Sequence, residues 1–443
     1  MPELLAGAAV ADITPAVGVQ LDGYGARAKP SQRVHDELMA RVLILAQGDE
    51  TVVIVSCDLL GMHPWIASEV RARASAATGV RQHGVVVAAT HNHAGPVGLR
   101  AGMLAELDEP LAETLVGRIS GAIEEAWRGR RRASIKHASA TVDTISLNRR
   151  DPEWPKDAAL HVVSIDGEDG PVATVLNFAC HATVLNATNL MLTGEFPGAA
   201  CRLIQRETGA PCVYLNGACG DVNPVWIAQD FAGVERAGQI IGAQALRLAA
   251  EMRALGPGQR SHNIRWDEFP EVPPLGRLVA PSLRAARFEV DLPRREFESD
   301  DAYAAHIEET TAAAESEPDG SPQRRIITAN LTRFKVERWA AAWARHAPDH
   351  SPPTEVQAVR LGDGLALLAL PGEFFGETAQ AIREAAPFED VLMACYANDY
   401  VGYVIPEHSY EEGGYEAGMT PHGLESDSTV RDAAKRLLTE VAG

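Results

Sequence analysis

The most constraining stretch of the sequence is residues 84–96, which read Gly-Val-Val-Val-Ala-Ala-Thr-His-Asn-His-Ala-Gly-Pro. The run Val85–Val87 is apolar at every position, which predicts a short strand buried on both faces. Polar residues and then Gly95-Pro96, a turn signal, end that strand. His91 and His93 follow it, and alternate side chains of an extended chain point the same way. Because imidazole is a common metal ligand, this strand end is a candidate metal site, although a lone His-x-His is also compatible with two structural histidines.

Other strand-like runs end in polar residues too. The polar residues that follow predicted strands are Asp58, His91 with His93, His181, Asp221, Glu373 and Tyr403. In open α/β sheets, ligands bind beyond the carboxyl ends of the strands, so we expect these side chains to meet. Two or three histidines with one carboxylate are the usual donor set of catalytic zinc. The six cysteines show no C-x-x-C pairing, so the sequence offers no thiolate set for structural zinc, and buried free thiols are expected.

The alternation of strand-like and helical patterns predicts an α/β fold, with a mixed central β-sheet flanked by helices and the metal site at the carboxyl ends of the strands. The chain has 443 residues, which suits one large domain with an insertion. We assign residues 1–253 and 356–443 to the core. Residues 254–355 differ in character, with an acidic, alanine-rich helix predicted at 299–315 and a basic, aromatic helix at 328–345. They are assigned to an insertion or cap within the same domain.

The overall composition limits the classes of partner. The chain is 46% hydrophobic and 23% charged, which is ordinary for a globular protein. Its net charge of −20 disfavours nucleic acid or an anionic membrane surface as the main partner. The sequence shows no signal-peptide pattern at its start and no apolar run of the roughly 20 residues that a membrane span needs. A cytoplasmic protein without a membrane span is therefore expected, and a homo-oligomer is left open.

Several motifs together resemble those of one enzyme family. The stretch His91-Asn-His93-Ala-Gly-Pro96 resembles the Thr-His-Thr-His-Ser-Gly-Pro motif of the neutral, non-lysosomal ceramidases. The resemblance continues in order along nearly the whole chain, at Ala11-Asp-Ile-Thr14, Asn148-Arg149, Phe178-Ala-Cys-His181-Ala-Thr183, Gly220-Asp221-Val222, Pro371-Gly-Glu-Phe374, Asn398-Asp-Tyr400 and the tail tyrosines Tyr403, Tyr410 and Tyr415. Each motif alone is modest, and their number and order carry the resemblance.

The resemblance implies a function and a set of site residues. One zinc ion per chain would be bound by His91, His181, Glu373 and Tyr403. His93 would lie beside the bound water and the scissile group, and Arg149 and Tyr415 would hold or polarise the substrate carbonyl. The implied enzyme is a zinc-dependent amidohydrolase that acts on carbon-nitrogen bonds other than peptide bonds. It would work by attack of metal-bound water, with His93 as general base and then as acid to the leaving amine.

Two departures from the family pattern bear on the substrate. The family's ceramidases carry a serine in Gly-Asp-Val-Ser-Pro, where this chain has Asn223. Asparagine is not a nucleophile, so Asn223 would orient the substrate, donate to an oxyanion or cap its turn. The chain also ends at Gly443, soon after the tyrosine tail, without the family's C-terminal β-sandwich domain or its secretion signal. We therefore expect a small-molecule acyl substrate, smaller than ceramide.

Three alternative functions stay open at this point. The same site would suit a zinc esterase, a deacetylase or a lactonase, because carbonyl polarisation does not select the leaving atom. A non-catalytic metal- or ligand-binding member of the family is the second alternative, prompted by Asn223. Two histidines and one carboxylate also suit Fe(II), although Tyr403 disfavours an iron site.

Overall fold

The computed structural model describes residues 2–100, 106–254, 276–346 and 353–443. The strands in this part of the chain are β1 (Leu4–Asp12), β2 (Arg33–Val34), β3 (Met39–Gln47), β4 (Glu50–Cys57), β5 (Val85–Ala89), β6 (Arg131–Thr141), β7 (Ser146–Asn148), β8 (Ala159–Gly167), β9 (Gly170–Phe178), β10 (Met191–Leu192), β11 (Cys212–Asn216), β12 (Val222–Pro224), β13 (Arg277–Val279), β14 (Pro281–Val290), β15 (Thr354–Gly362), β16 (Leu365–Ala369), β17 (Glu373–Phe374), β18 (Asp390–Ala394) and β19 (Tyr403–Val404).

Helices alternate with these strands along most of the sequence. The described α-helices are α1 (Pro64–Thr78), α2 (Glu109–Arg128), α3 (Glu195–Thr208), α4 (Phe231–Ala254), α5 (Asp300–Ser316), α6 (Pro322–His346), α7 (Gly376–Ala385), α8 (His408–Glu412), α9 (Tyr415–Met419) and α10 (Ser426–Ala442). None of them combines the length and the apolar character that crossing a membrane requires.

The strands form two main sheets. The larger sheet has the order β11-β9-β8-β6-β1-β3-β4-β5, with β13 paired beside β6, and mixes parallel and antiparallel pairs. Its two halves join at β1 and β6 through only two residue pairs, at Leu5 and Ala6. The smaller sheet has the order β14-β15-β16-β18, and short strands pair separately as β10-β2, β12-β7 and β17-β19. The predicted mixed α/β architecture is confirmed.

The sheets are apolar on both faces, which places helices outside them and a shared core between them. In β3, Leu43 and Leu45 contact a core that also includes Val163 of β8 and Leu367 of β16. The alternate residue Ile44 faces the opposite way, into the cluster that α1 and α2 cover. Because both halves of the larger sheet and the smaller sheet contact one core, the two halves fold towards each other.

The predicted strand ahead of the His-x-His motif is confirmed in β5. Val85 and Val87 face the helix-covered cluster, and Val86 faces the shared core. All three are fully buried, as a run without polar alternation predicts. All six cysteines are also buried, and none of them forms a disulfide.

The two helices predicted within 254–355 are present as α5 and α6, which pack against each other. In the same segment, β13 pairs with β6 and β14 pairs with β15. Residues 255–275 and 347–352 lie outside the described residues. The division into a core at 1–253 and 356–443 and an insertion at 254–355 therefore stays a prediction.

Asn177 in β9 ties the two sheets together, and its replacement tests this connection. Its Nδ2 donates to the carbonyls of Leu215 (2.9 Å) and Met393 (2.6 Å), and its Oδ1 accepts from the Met393 N–H (2.9 Å). Asn177→Ala leaves these buried backbone groups unpaired, so we expect it to lower the free energy of unfolding by about 3 kcal/mol. Asn330→Ala, at an exposed position of α6, is the control and should change it by less than about 0.5 kcal/mol in urea titrations. Equal effects of the two variants would contradict this role.

Candidate functional site

The carboxyl ends of β5, β9, β11 and β18 meet at one point, and Asn216 joins them. Asn216 is the last residue of β11 and is fully buried. Its Nδ2 donates to the carbonyls of Thr90 (3.0 Å), just after β5, and Cys180 (3.1 Å), just after β9. Its own carbonyl accepts from the N–H of Cys395, which follows β18 (2.9 Å). One buried amide thus holds together the strand ends that carry the predicted site residues.

His91 is turned into this point by an unusual backbone conformation. Its φ is +61°, in the left-handed region, which a residue other than glycine adopts only when its surroundings hold it there. Its Nδ1 lies 2.8 Å from the Leu60 carbonyl, and its ring stacks on that of Tyr396 with centroids 4.0 Å apart. Nδ1 therefore carries the proton and donates it to Leu60, which leaves Nε2 as an acceptor.

His181 and Glu373 complete the same geometry. The Nδ1 of His181 lies 3.1 Å from the Val222 carbonyl, so its Nε2 is also left as an acceptor. The Glu373 Oε2 lies 3.2 Å from His181 Nε2 and 3.5 Å from His91 Nε2. The other oxygen, Oε1, accepts a hydrogen bond from the Tyr400 hydroxyl, which keeps Oε2 turned towards the histidines. Three buried acceptor atoms facing one another repel unless a proton or a cation lies between them, so this donor set fits a divalent metal ion.

The charge state of the cluster agrees with this geometry. Burial lowers the pKa of His91 to about 3, so its imidazole is neutral at pH 7. Burial alone would also lower the pKa of His181, but Cys219 and the Glu373 carboxylate raise it to about 10. Burial opposes ionisation of Glu373, yet the two histidines hold its pKa well below the ordinary value. Without a cation, the cluster therefore retains a proton on His181 beside an ionised carboxylate, which indicates that the site favours one positive charge.

His93 is the partly exposed histidine of the cluster. Its Nε2 is 3.2 Å from the Nε2 of His91, and it groups with His91 and His181 as a possible metal-binding set. Its Nδ1 has no hydrogen-bond partner in the described part of the chain. Burial lowers the pKa of His93, so the ring is neutral and able to accept a proton.

Arg149 brings the remaining predicted residues together. Its Nε donates to Glu416 (2.6 Å), its Nη2 donates to the Tyr403 hydroxyl (2.9 Å), and its Nη1 lies 3.4 Å from Asn223 Oδ1. The guanidinium carbon lies 5.7 Å from the ring centre of Tyr403 and 5.6 Å from that of Tyr415. Tyr403 is also the register partner of Glu373 in the parallel β17–β19 pair, so both side chains leave the same face. Tyr415 is 45% exposed and lies at the solvent-facing edge of the site.

Two strand-end carboxylates from the sequence analysis have other partners. Asp58 forms a buried ion pair with Arg41 (2.7 Å) and accepts from the Met39 N–H, within the β3–β4 region. Asp221 accepts from Asn148 Nδ2 (2.8 Å) and the Gly376 N–H (3.0 Å), and its carbonyl accepts from the N–H of Arg149. Asp58 and Asp221 therefore position the chain around the cluster through these bonds.

Sequence reasoning gave no role to four residues that shape the site, namely Gly23, Asn216, Tyr400 and Glu416. Tyr400 and Glu416 lie beside or within motifs that the sequence displays, Asn398-Asp-Tyr400 and Tyr415-Glu416, so the motif matches contained a signal for them. Gly23 lies in the glycine-rich loop 18–28, and its φ of +95° puts its backbone against the His93 ring. Asn216 shows no pattern that separates it from an ordinary turn residue.

Known proteins resemble this chain, and two of those reported below do so over most of its length. The family model described as "Neutral/alkaline non-lysosomal ceramidase, N-terminal" matches residues 4–217. The neutral ceramidase of Pseudomonas aeruginosa is 23% identical over 478 residues, covering 94% of this chain and 69% of that protein. The neutral ceramidase of Mycobacterium tuberculosis is 24% identical over 494 residues, covering 95% of this chain and 74% of that protein. The rice neutral ceramidase is 26% identical over 224 residues, covering 45% of this chain and 28% of that protein.

The fold has a solved counterpart. The crystal structure of the neutral ceramidase from Pseudomonas aeruginosa superposes with a TM-score of 0.75 at 20% sequence identity, over 100% of this chain and 75% of that one. At this identity the likeness establishes the fold and leaves the chemistry to the site residues.

Gly23→Ala tests whether the glycine-rich loop positions His93. A Cβ at Gly23 would lie 2.4 Å from His93 Nδ1, so the ring must move. Gly18→Ala is the matched control, because Gly18 also has a positive φ, +107°, but a Cβ added there would meet no atom within 4 Å. Both variants should lose roughly 1–2 kcal/mol of stability from backbone strain. Only Gly23→Ala should shift the His93 ring resonances in nitrogen-detected NMR spectra, and equal ring shifts in both variants would contradict the contact.

Proposed function

We propose that this chain, a relative of the neutral/alkaline non-lysosomal ceramidases, is a zinc-dependent hydrolase that cleaves an amide bond of a small N-acyl substrate. Its relatives are named neutral ceramidases, which supports hydrolysis of an amide. The observation that carries the proposal is that Glu373 Oε2 lies 3.5 Å from His91 Nε2 and 3.2 Å from His181 Nε2, with both Nδ1 atoms already bonded to backbone carbonyls.

His91, His181 and Glu373 would hold the metal ion, and Tyr403 would supply a fourth ligand from the neighbouring strand. A bound zinc ion would polarise the substrate carbonyl and lower the pKa of an attacking water to about 7. The preference for zinc rests on the donor set, because imidazole nitrogens with one carboxylate suit it. The Tyr400 hydroxyl and the two backbone carbonyls would keep these donors oriented during turnover.

His93 would move the proton. Its neutral ring lies next to the cluster, with Nε2 3.2 Å from His91 Nε2, so it can accept a proton from the attacking water. The same ring would then donate that proton to the leaving amine. Arg27 donates to the His93 carbonyl (3.0 Å) and Tyr24 packs against the ring with centroids 5.0 Å apart, so the loop that carries Gly23 would keep this base in place.

Arg149, Asn223 and Tyr415 would bind the substrate around its carbonyl. Glu416 holds Arg149 by an ion pair of 2.6 Å, so the guanidinium is oriented before substrate arrives. Asn223 Oδ1 faces Arg149 Nη1. The Nδ2 of Asn223 would then be the atom that donates a hydrogen bond to the developing oxyanion. Tyr415, at the rim, would contact the substrate from the solvent side.

Exposed apolar side chains that follow Asn223 support an apolar acyl group. Val225 (36%), Trp226 (48%) and Ile227 (73%) come directly after Asn223 and Pro224 and stay exposed. Gly25, in the loop that contacts His93, lies next to Trp339 of α6. An acyl chain that covered these side chains would bury apolar surface.

The experiment is a hydrolysis panel of N-acyl amines and matched O-acyl esters, with acyl chains from two to sixteen carbons. We expect zinc-dependent release of amine, with the highest kcat/KM for the shorter chains. Glu373→Gln should lose the zinc ion of this cluster and the activity, because one of the converging acceptors loses its charge. His93→Gln should keep zinc and lower kcat by about 10²–10⁴-fold, because it removes only the proton carrier.

Three outcomes would contradict parts of the assignment. Glu377→Gln, on the exposed face of α7, is the matched control and should keep full zinc content and activity. Turnover by zinc-free protein would exclude the metal mechanism, and loss of zinc in His93→Gln would make His93 a ligand instead of the base. Faster cleavage of the esters than of the amides would favour the esterase alternative over the amidase.

A further inference from the structure

A second group of two histidines and a carboxylate lies away from the candidate active site. His137 belongs to β6, His161 to β8, and Asp390 begins β18. His137 Nε2 lies 3.2 Å from His161 Nδ1, His137 Nδ1 lies 3.2 Å from Asp390 Oδ2, and His161 Nδ1 lies 3.9 Å from Asp390 Oδ1. One ligand atom from each residue lies within 4.8 Å of the other two. Neither the family resemblance nor the proposed mechanism uses these residues.

The spacing suits a transition-metal ion. Zinc binds nitrogen at roughly 2.0–2.1 Å, so two nitrogen ligands of a tetrahedral ion lie about 3.3 Å apart. The separation of 3.2 Å between the two imidazole nitrogens matches this value. Arg277 contacts Oδ2 of Asp390 at 3.1 Å, which turns Oδ1 towards His161. Two imidazoles and one carboxylate then leave a fourth position for water.

Solvent reaches the group from one of its three residues. Both histidines are almost fully buried, whereas the Asp390 side chain is 23% exposed. Asp390 therefore gives solvent a way to the group.

The position of the group gives it a structural role. His137 and His161 belong to the larger sheet and Asp390 to the smaller one. Asp390 is at the amino end of β18, whereas the candidate active site lies beyond its carboxyl end. Five residues of extended strand separate the two ends, a distance of about 13 Å.

We propose that His137, His161 and Asp390 bind a second divalent metal ion, of the zinc type, that ties the larger sheet to the smaller one. This site is separate from the candidate catalytic cluster and does not depend on the proposed function. Without an ion, the same three residues form a hydrogen-bond chain in which His161 donates to His137 and His137 donates to Asp390.

The number of zinc ions bound per full-length chain distinguishes a metal site from a hydrogen-bond chain. The protein is stripped of metal, reconstituted with zinc and measured by mass spectrometry for zinc equivalents per chain. His161→Gln and Asp390→Asn should each hold one equivalent fewer than the wild type. His306→Gln is the control, since His306 pairs with Glu298 at the surface, and it should match the wild type.

Calorimetric titration of the stripped protein with zinc gives a second readout. Two equivalents are expected, one of which survives in His161→Gln and the other in His181→Ala. Equal zinc content in the wild type, His161→Gln and Asp390→Asn would overturn the proposal and leave the hydrogen-bond chain. If neither variant folds, a single equivalent in the wild-type titration that is lost in His181→Ala overturns it as well.

Discussion

Three buried hydrogen-bond acceptors converge at the candidate site. His91 and His181 each use Nδ1 to donate to a backbone carbonyl, so their Nε2 atoms face the Glu373 carboxylate as acceptors. Such an arrangement is unstable without a positive charge at its centre. The surrounding protein maintains it through the left-handed backbone of His91, the Tyr400 hydrogen bond to Glu373 and the ion pair that holds Arg149 beside Tyr403.

The fold supplies these groups from distant parts of the sequence. Parallel pairs such as β4–β5, β9–β11 and β16–β18 deliver their following residues to the same end of the sheets. Asn216 then closes the gaps between three strand ends with one side chain. His91 and His93 follow the fully buried strand β5, and His181 follows β9, which is buried from Val172 to Phe178, so packed strands hold these three side chains.

Much of this arrangement could be predicted from local sequence, and some of it could not. The apolar run before His91 predicted a strand buried on both faces, because side-chain alternation is absent there. Strand ends at His181 and Glu373 followed from the same reasoning, and the family motifs joined them to Arg149 and Tyr415. Asn216 and Gly23 were missed, because their roles arise from contacts between segments far apart in the chain. Asp58 resembled a site carboxylate in sequence, but the buried Arg41 that pairs with it comes from the neighbouring strand β3.

Zinc binding at this cluster is tested most directly by a crystal structure of the zinc-loaded protein, with diffraction data above and below the zinc edge. We expect an anomalous peak within bonding distance, about 2.0–2.2 Å, of His91 Nε2, His181 Nε2 and a Glu373 oxygen. A map of the zinc-loaded protein with no peak there, and with His181 still hydrogen-bonded to Glu373, would contradict this expectation.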